Sequence, residues 1–417
     1  MKCVRSTLHI IAAFSFIALA GCSHPGKQFM GDPQNPYPLK SAPKVGDILH
    51  LPTGTLVTLD QMLQVAGDAR VVYVGETHDN PASHRLELQT LQGLEERHPD
   101  KVALGMEMFT RAQQPALDRW VAGQLDEKAF LKESRWFDNW KMDFAYYRDL
   151  LLYVRDHHIP VIGLNAEKDL VQAVSGKPLE QLTEEQRAKL PEMDLTDPYQ
   201  RGMAEGIFGG HSHGKMMLDG FIRAQTLWDE TMAESAARFL ASPQGKDRHL
   251  LVVAGGNHVG HGFGIPRRVF RRIPTSYVMI GGNEIEISKA KEKELMDVEL
   301  PEYPMIAYDF LTFFSYEELP KSGVLLGVAF EPAPDKHGIK VNAVVPGSNA
   351  ERAGIKAGDT LLTLDGETLA ESIDLVYALK LKHVGDKSTL TVDRNGEKLT
   401  FEVVFQKTED VHQHGKP

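Results

Sequence analysis

The chain has 417 residues, of which 42% are hydrophobic and 25% charged, so it is long enough to bury a core and to form more than one domain. Its formal net charge of −11 argues against nucleic acid or anionic lipid as a partner of the folded part. Only two cysteines occur, which disfavours a disulfide-rich or cysteine-ligated metal protein.

The first residues predict export. Lys2 and Arg5 precede an uncharged stretch, residues 6–20, which is too short to span a membrane and ends in small residues. The stretch and the following Cys22 resemble a bacterial lipobox, which implies that residues 1–21 are a signal peptide and that Cys22 carries the lipid. The alternative is an ordinary signal or a short anchor helix with a chance cysteine. Cys3 leaves with the signal, so no free thiol is expected in the mature chain.

Residues 22–55 are predicted to be the lipidated cysteine and a flexible tether, because glycine and proline are frequent up to Pro43 and large apolar residues are few. By resemblance to the sorting of enterobacterial lipoproteins, Ser23 favours the outer membrane with the folded part facing the periplasm. Contact with the membrane is then expected through the lipid alone.

Residues 56–285 alternate strand and helix patterns, which predicts an α/β domain with a mostly parallel sheet flanked by helices. The expected strands are short β-branched or apolar runs: 71–74, 102–108, 160–164, 249–254 and 276–280. The expected helices have apolar residues at helical spacing: 83–97, 144–157 and 215–240.

Two Gly-x-x-His tetrapeptides, at residues 75–78 and 255–258, directly follow predicted strands. In parallel sheets the carboxyl ends of strands meet at one edge, so His78 and His258 should lie close to Glu76, Glu107 and Asn165. Glu107 lies among apolar residues and must be paired, metal-bound or shifted in pKa. His78, Glu107 and His258 form a sufficient ligand set for a divalent metal such as zinc or manganese. The competing interpretation is that the histidines cap helices and Glu107 bonds backbone amides.

Five segments together resemble the ChaN family of haem-binding uptake lipoproteins: residues 71–80, 136–140, 159–165, 223–233 and 255–258. The resemblance spans about residues 56–282. It implies a fold shared with the Tiki proteases and erythromycin esterases, in which two Gly-x-x-His motifs and a glutamate build the site. Carried over by position, these are His78, His258 and Glu107.

The resemblance also implies haem as cofactor, with a tyrosine as iron ligand and a possible homodimer. Tyr147 and Tyr199 are the candidate ligands, although aromatic residues at the spacing around Tyr147 are often core residues. The glycine-flanked histidines His211 and His213 are further candidates, and a flexible loop with tolerated histidines explains them equally well.

Residues 286–322 are predicted to be a linker, residues 323–407 a small β-rich domain and residues 408–417 a tail. The series of short strands and glycine turns from residue 324 to 405 resembles a bacterial PDZ domain of the kind attached to periplasmic proteases. By that resemblance, the loop of Leu325, Leu326, Gly327 and Val328 holds the carboxylate of a peptide, which implies a protein partner.

Three functions remain open. The leading hypothesis is an envelope lipoprotein that binds haem or iron and docks a partner through the PDZ domain. The alternative is a metal-dependent hydrolase with Glu76 or Glu107 as general base. A non-catalytic envelope scaffold is the third. A serine hydrolase is disfavoured because the sequence has no Gly-x-Ser-x-Gly motif.

Overall fold

A computed structural model describes residues 37–140, 142–209, 215–295, 298, 300–319, 324–333 and 337–407. The predicted signal peptide, Cys22, residues 23–36 of the tether, the tail, and His211 with His213 lie outside the described residues. Within the described part of the chain, no helix combines the length and apolar character needed to cross a membrane.

An eight-stranded sheet forms the framework of the larger domain. Its strands are β1 (Ile48–His50), β2 (Thr55–Val57), β3 (Val71–Glu76), β4 (Val102–Thr110), β5 (Val161–Asn165), β6 (His249–Gly255), β7 (Tyr277–Glu286) and β8 (Phe310–Ser315). They are ordered β2-β1-β8-β7-β3-β6-β4-β5. The six strands from β8 to β5 are parallel, whereas β1 pairs antiparallel with both β2 and β8. The predicted mostly parallel α/β fold and its five strands are confirmed.

Helices cover both faces of this sheet. They are α1 (Leu59–Gly67), α2 (Pro81–Arg97), α3 (Gln114–Val121), α4 (Glu127–Glu133), α5 (Trp136–Asn139), α6 (Arg148–Asp156), α7 (Lys168–Gly176), α8 (Glu184–Ala188), α9 (Pro198–Gly209), α10 (Lys215–Ala241), α11 (Gly256–Val259), α12 (Ile265–Arg272) and α13 (Lys289–Glu292). Side chains from α1 to α6 pack on one face of the sheet, and side chains of α10 and α12 pack on the other. Every residue of β3 and β4 is buried, as expected for strands covered on both faces.

Two strands lie outside the range predicted for this domain. β1 lies in the predicted tether and β8 lies in the predicted linker. They nevertheless pair with each other near one edge of the sheet, between β2 and β7. The aromatic residues of β8 explain its position, because Phe310 and Phe313 are buried against the domain. The sheet therefore includes chain from both sides of residues 56–285.

The C-terminal domain is β-rich, as predicted, and its strands pair antiparallel. It contains β9 (Val328–Pro332), β10 (Ile339–Val344), β11 (Thr360–Leu364), β12 (Glu367–Thr368), β13 (Lys387–Arg394) and β14 (Glu397–Val404), with helices α14 (Asn349–Ala353) and α15 (Ser372–Lys380). The order is β14-β13-β11-β10-β9, and β12 pairs with β11. β9 thus lies at the edge of the sheet, and among the described residues no strand pairs with its outer side.

We predict that Phe310→Ala lowers the free energy of unfolding by about 3–5 kcal/mol, because it removes a side chain that is only 1% exposed. The measurement is urea denaturation followed by circular dichroism. Leu300→Ala, at a residue that is 41% exposed, is the control and should change the value by less than about 0.5 kcal/mol. Equal small effects of both substitutions would contradict the assignment of residues 310–315 to the sheet.

Candidate functional site

The carboxyl ends of β3, β4 and β6 bring the predicted polar residues to one edge of the sheet. The parallel register pairs Glu76 with Gly255, so the two Gly-x-x-His motifs begin side by side. Glu107 comes from β4, beyond the last residue that pairs with β6. Asn165 joins them through its side-chain amide, which donates to the Glu107 carbonyl oxygen at 2.9 Å.

Glu76 has a fully buried carboxylate that contacts several polar side chains. Its Oε1 accepts hydrogen bonds from the Tyr147 hydroxyl at 2.8 Å and from Nδ1 of His78. Burial alone would raise the pKa of Glu76, but hydrogen bonds from Glu87 and His78 and the charge of His84 hold it well below its ordinary value. Glu76 is therefore ionised, but its side chain is fully buried and its lowered pKa makes it a weak base, so it is poorly placed as the general base that the sequence suggested.

Tyr147 packs in the core with no exposed surface, and burial raises its pKa well above the ordinary value. Its hydroxyl is engaged by Glu76. These two facts argue against Tyr147, one of the predicted haem ligands, because a tyrosine that binds iron needs a free and ionised phenol oxygen.

His78 is the accessible histidine of this edge. Its side chain is 37% exposed and meets the ring of Trp140 edge to face, with 5.0 Å between centroids. Burial lowers the pKa of His78, but the hydrogen bond and charge of Glu76, together with the charge of Glu107, raise it to about 9. A Cβ on Gly255 would lie 3.0 Å from Nε2 of His78, so only glycine leaves the imidazole in this position without displacement.

His258 is buried between two carboxylates. Its Nδ1 lies 2.6 Å from Asp229 Oδ1, and its Nε2 lies 3.4 Å from Glu107 Oε1. Glu107 in turn accepts the Gly255 amide at 2.7 Å through Oε2. Burial lowers the pKa of His258, but the charges of Glu107 and Asp229 outweigh this and raise it to about 9. Glu107 is thus paired, which was one of the three states expected for it.

A second group of acidic and imidazole side chains lies behind His78. Glu76, His84 and Glu87 are all buried, and one ligand atom of each lies within 4.8 Å of the others. Nδ1 of His84 is 3.3 Å from Glu76 Oε2 and 3.2 Å from Glu87 Oε2. We call these three residues the buried acid–imidazole cluster.

The predicted metal ligands His78, Glu107 and His258 lie at this edge, but their ligand atoms are not all within 4.8 Å of one another. Among the described residues, the buried acid–imidazole cluster is the group that meets this spacing. The reason is that Glu76 holds the Nδ1 side of the His78 imidazole while Glu107 and His258 pair with each other across the Gly255 amide. Sequence reasoning missed Glu87 and Asp229 as site residues. Each lies on a helix, three to four residues from other polar side chains, where the pattern alone does not show which face is buried.

Tyr199 differs from Tyr147 because it is 41% exposed. It lies at the start of α9, and its ring stacks on Phe263 with 5.1 Å between centroids and an interplanar angle of 10°. Asn257, within the second Gly-x-x-His motif, is exposed.

The loop that precedes β9 has the geometry of an anion site. The carbonyl oxygens of Leu325, Leu326 and Gly327 accept hydrogen bonds from Asn349 Nδ2, the Ala350 amide and the Val345 amide at 2.8–2.9 Å. Within the described residues, no hydrogen bond is donated by the three amides of the same loop. Gly327 has a φ of +83°, which turns the backbone here and favours glycine. Unpaired amides at a sheet edge suit a terminal carboxylate.

The sequence profile of the family described as haem-binding uptake, Tiki superfamily, ChaN matches residues 62–269. This domain belongs to the ChaN family. A PDZ profile matches residues 324–404. A solved structure described as cofacial haem binding to ChaN of Campylobacter jejuni is 17% identical, with a TM-score of 0.50, and the alignment covers 64% of this chain and 96% of that one. This likeness shows the fold.

Among curated relatives, a probable periplasmic serine endoprotease DegP-like from Marinomonas sp. is 33% identical over 70 residues, which is 17% of this chain and 15% of that protein. The periplasmic pH-dependent serine endoprotease DegQ from Escherichia coli is 27% identical over 155 residues, 37% of this chain and 28% of that protein. The chain thus spans less than a third of the length of these relatives.

We predict that Asp229→Asn lowers the pKa of His258 from about 9 toward its ordinary value, because one of its two carboxylate partners is lost. A raised histidine pKa stabilises the fold fully below about pH 6.5, and this stability is lost as the pH rises through about 9. The substitution should therefore cost on the order of 2 kcal/mol at about pH 6 and much less at about pH 9.5, as measured by urea denaturation.

Asp219→Asn is the matched control, since Asp219 is exposed on the same helix. It should leave the pH profile of stability unchanged. A wild-type profile in both variants would show that Asp229 does not set the charge of His258.

Proposed function

We propose that the chain is an envelope lipoprotein that binds haem and docks a partner protein through its PDZ domain. The observation that carries the proposal is the ChaN family domain at residues 62–269, together with the Campylobacter jejuni ChaN structure whose description names cofacial haem binding. The resemblance of residues 1–22 to a lipobox and the periplasmic relatives support an envelope location, and Ser23 after the cysteine supports anchoring in the outer membrane.

The donor groups at the sheet edge suit a haem iron. His78 has an exposed side chain, and its Nδ1 is fixed by Glu76, so that Nε2 is the nitrogen left for a metal. A ligating histidine commonly donates its other N–H to a carboxylate, which orients the ring and raises its basicity. Trp140 adds an aromatic surface beside the imidazole. When bound, haem would supply iron for uptake or handling, and His78 would orient it.

Tyr199 is the second ligand that suits haem among the described residues. Its exposed phenol stacks on Phe263, which offers a flat aromatic surface. Phenolate ligation suits ferric haem. Cofacial haem binding, if it extends to this chain, brings two copies together and implies a homodimer.

We expect haemin to give a Soret shift with the wild-type chain and His78→Ala to weaken binding at least about ten-fold. Because His78 must lose a proton to bind iron, and its pKa is raised to about 9, affinity should increase as the pH rises from about 6 to about 9. The measurement is haemin titration followed by absorbance at several pH values.

Tyr199→Phe tests the other ligand, and His157→Ala, at an exposed histidine at the far end of α6, is the control. Loss of the Soret shift in Tyr199→Phe but not in His78→Ala would show that the iron ligand is the Tyr199 phenol and not His78. No shift with the wild-type chain would overturn the haem proposal.

The PDZ part of the proposal makes a separate prediction. Fluorescent peptides that end in a hydrophobic residue with a free carboxylate should bind. The same peptides with an amidated end should bind at least about ten-fold more weakly, because the loop amides would have no negatively charged carboxylate to bind. Gly327→Ala should also weaken binding, since its Cβ would lie 2.2 Å from Ser348 Cβ. Equal affinity for free and amidated peptides in a fluorescence polarisation assay would argue against carboxylate capture.

A metal-dependent hydrolase is the second candidate function. Two features favour it. Asp229 orients His258 in the way that carboxylates orient metal-bound histidines, and Glu107 lies next to the other ring nitrogen of His258. A divalent ion at His78, Glu107 and His258 would activate water there. Hydrolysis of a reporter ester that disappears in His258→Ala would support this function over haem binding.

A further inference from the structure

The buried acid–imidazole cluster shares Glu76 with His78, because Glu76 Oε1 contacts His78 and Glu76 Oε2 faces His84. Its side chains are nearly inaccessible to solvent, with exposures of 0% for Glu76 and Glu87 and 5% for His84. His84 and Glu87 lie three residues apart on α2, so both face β3 from the same side of the helix. We propose that Glu76, His84 and Glu87 bind a divalent first-row transition metal ion.

The spacing of the ligand atoms suits a metal ion. Nδ1 of His84 lies 3.3 Å from Glu76 Oε2 and 3.2 Å from Glu87 Oε2. Nitrogen and oxygen ligands of tetrahedral zinc lie about 2.0–2.2 Å from the ion, which separates neighbouring ligand atoms by about 3.4 Å. Nδ1 of His84 is therefore at nearly the spacing from both carboxylates that a bound ion would impose, and one ligand atom of each residue lies within 4.8 Å of the others.

Two buried oxygens of the cluster receive no hydrogen bond from an N–H or hydroxyl group. They are Glu76 Oε2, which faces His84, and Glu87 Oε1. The donor that remains for Glu76 is the carboxyl proton of Glu87, whose pKa is raised well above its ordinary value by burial and by the charge of Glu76. A cation between the two carboxylates would take the place of that proton.

The orientation of His84 is that of a metal ligand. Its Nε2 lies 3.0 Å from the carbonyl oxygen of His78, which can only accept a hydrogen bond. Nε2 therefore carries the proton, and in the neutral ring the lone pair of Nδ1 points at the two carboxylates. Metal-bound histidines are commonly held in this way by a backbone carbonyl.

The charges in the cluster can be balanced by protons or by a divalent ion. Without a metal ion, burial and the charge of Glu76 raise the pKa of Glu87 well above its ordinary value, so a neutral Glu87, an ionised Glu76 and the His84 imidazolium have no net charge. Two carboxylates, a neutral imidazole and a divalent ion are equally balanced, so the ion would bind in exchange for two protons. A set of two oxygens and one imidazole nitrogen suits zinc, manganese or ferrous iron.

This metal site is separate from the proposed haem site, because it uses the opposite oxygen of Glu76 and two residues that do not reach the exposed edge. The test is the metal content of the full chain, purified without haem, chelator or a nickel column, by plasma mass spectrometry. We expect about one equivalent of a divalent transition ion in the wild type and at least about a ten-fold loss in Glu87→Gln. Glu107→Gln is the matched control and should retain the ion.

A second measurement covers the case in which Glu87→Gln does not fold. The wild-type melting temperature should fall in EDTA and recover with added zinc or manganese, because the ion binds the folded state. Wild-type protein without metal and without such a shift would overturn the proposal, as would loss of the ion in Glu107→Gln with retention in Glu87→Gln. Haemin binding that persists in folded, metal-free Glu87→Gln would show that the two sites are distinct.

Discussion

The buried carboxylate of Glu76 is the constraint on which the site depends. Placing an ionised carboxylate at the end of a fully buried strand is costly unless hydrogen bonds and opposite charges compensate it. Tyr147, His78 and His84 supply that compensation from three different segments. The start of α6, the loop after β3 and the first turns of α2 are therefore fixed to the same strand end. His78 acquires one orientation and a raised pKa as a consequence.

The convergence of the site was predictable because it follows from backbone rules. Continuous apolar runs indicated β3, β4 and β6, and parallel strands bring their carboxyl ends to one edge, so His78, Glu107 and His258 could be assigned to that edge from the sequence. Their partners could not. Glu87 and Asp229 lie on helices, where polar residues are usually solvated, and only the packing of α2 and α10 shows that these two face inward. The partner of Tyr147 could not be predicted either, because its helical spacing suggested a core residue but gave no sign of the hydrogen bond to Glu76.

The limits of the larger domain were harder to predict for a different reason. β1 has three residues, too few for a periodic pattern, and its partner β8 is more than 250 positions away in the chain. The aromatic residues of β8 were visible in the sequence, but an apolar patch does not reveal which edge of a sheet it covers. Pairing of β8 with β7 also places Tyr308 next to the second Gly-x-x-His motif, where its hydroxyl donates to the Gly256 carbonyl at 3.3 Å. The segment after residue 285 thus supports the edge that carries the site.

Glu76 also connects the exposed and buried halves of this edge, because its two oxygens serve different neighbours. Oε1 holds His78 and Oε2 faces His84. The charge of Glu76 is thus divided between an exposed histidine and a buried one, since the same carboxylate raises the pKa of His78 to about 9 and is itself kept ionised by the charge of His84. A substitution at Glu76 would change both halves of the edge at once. The two halves are therefore separated by substitutions at His78 and Glu87 and not at Glu76, because His78 contacts Oε1 and Glu87 lies behind Glu76, next to His84.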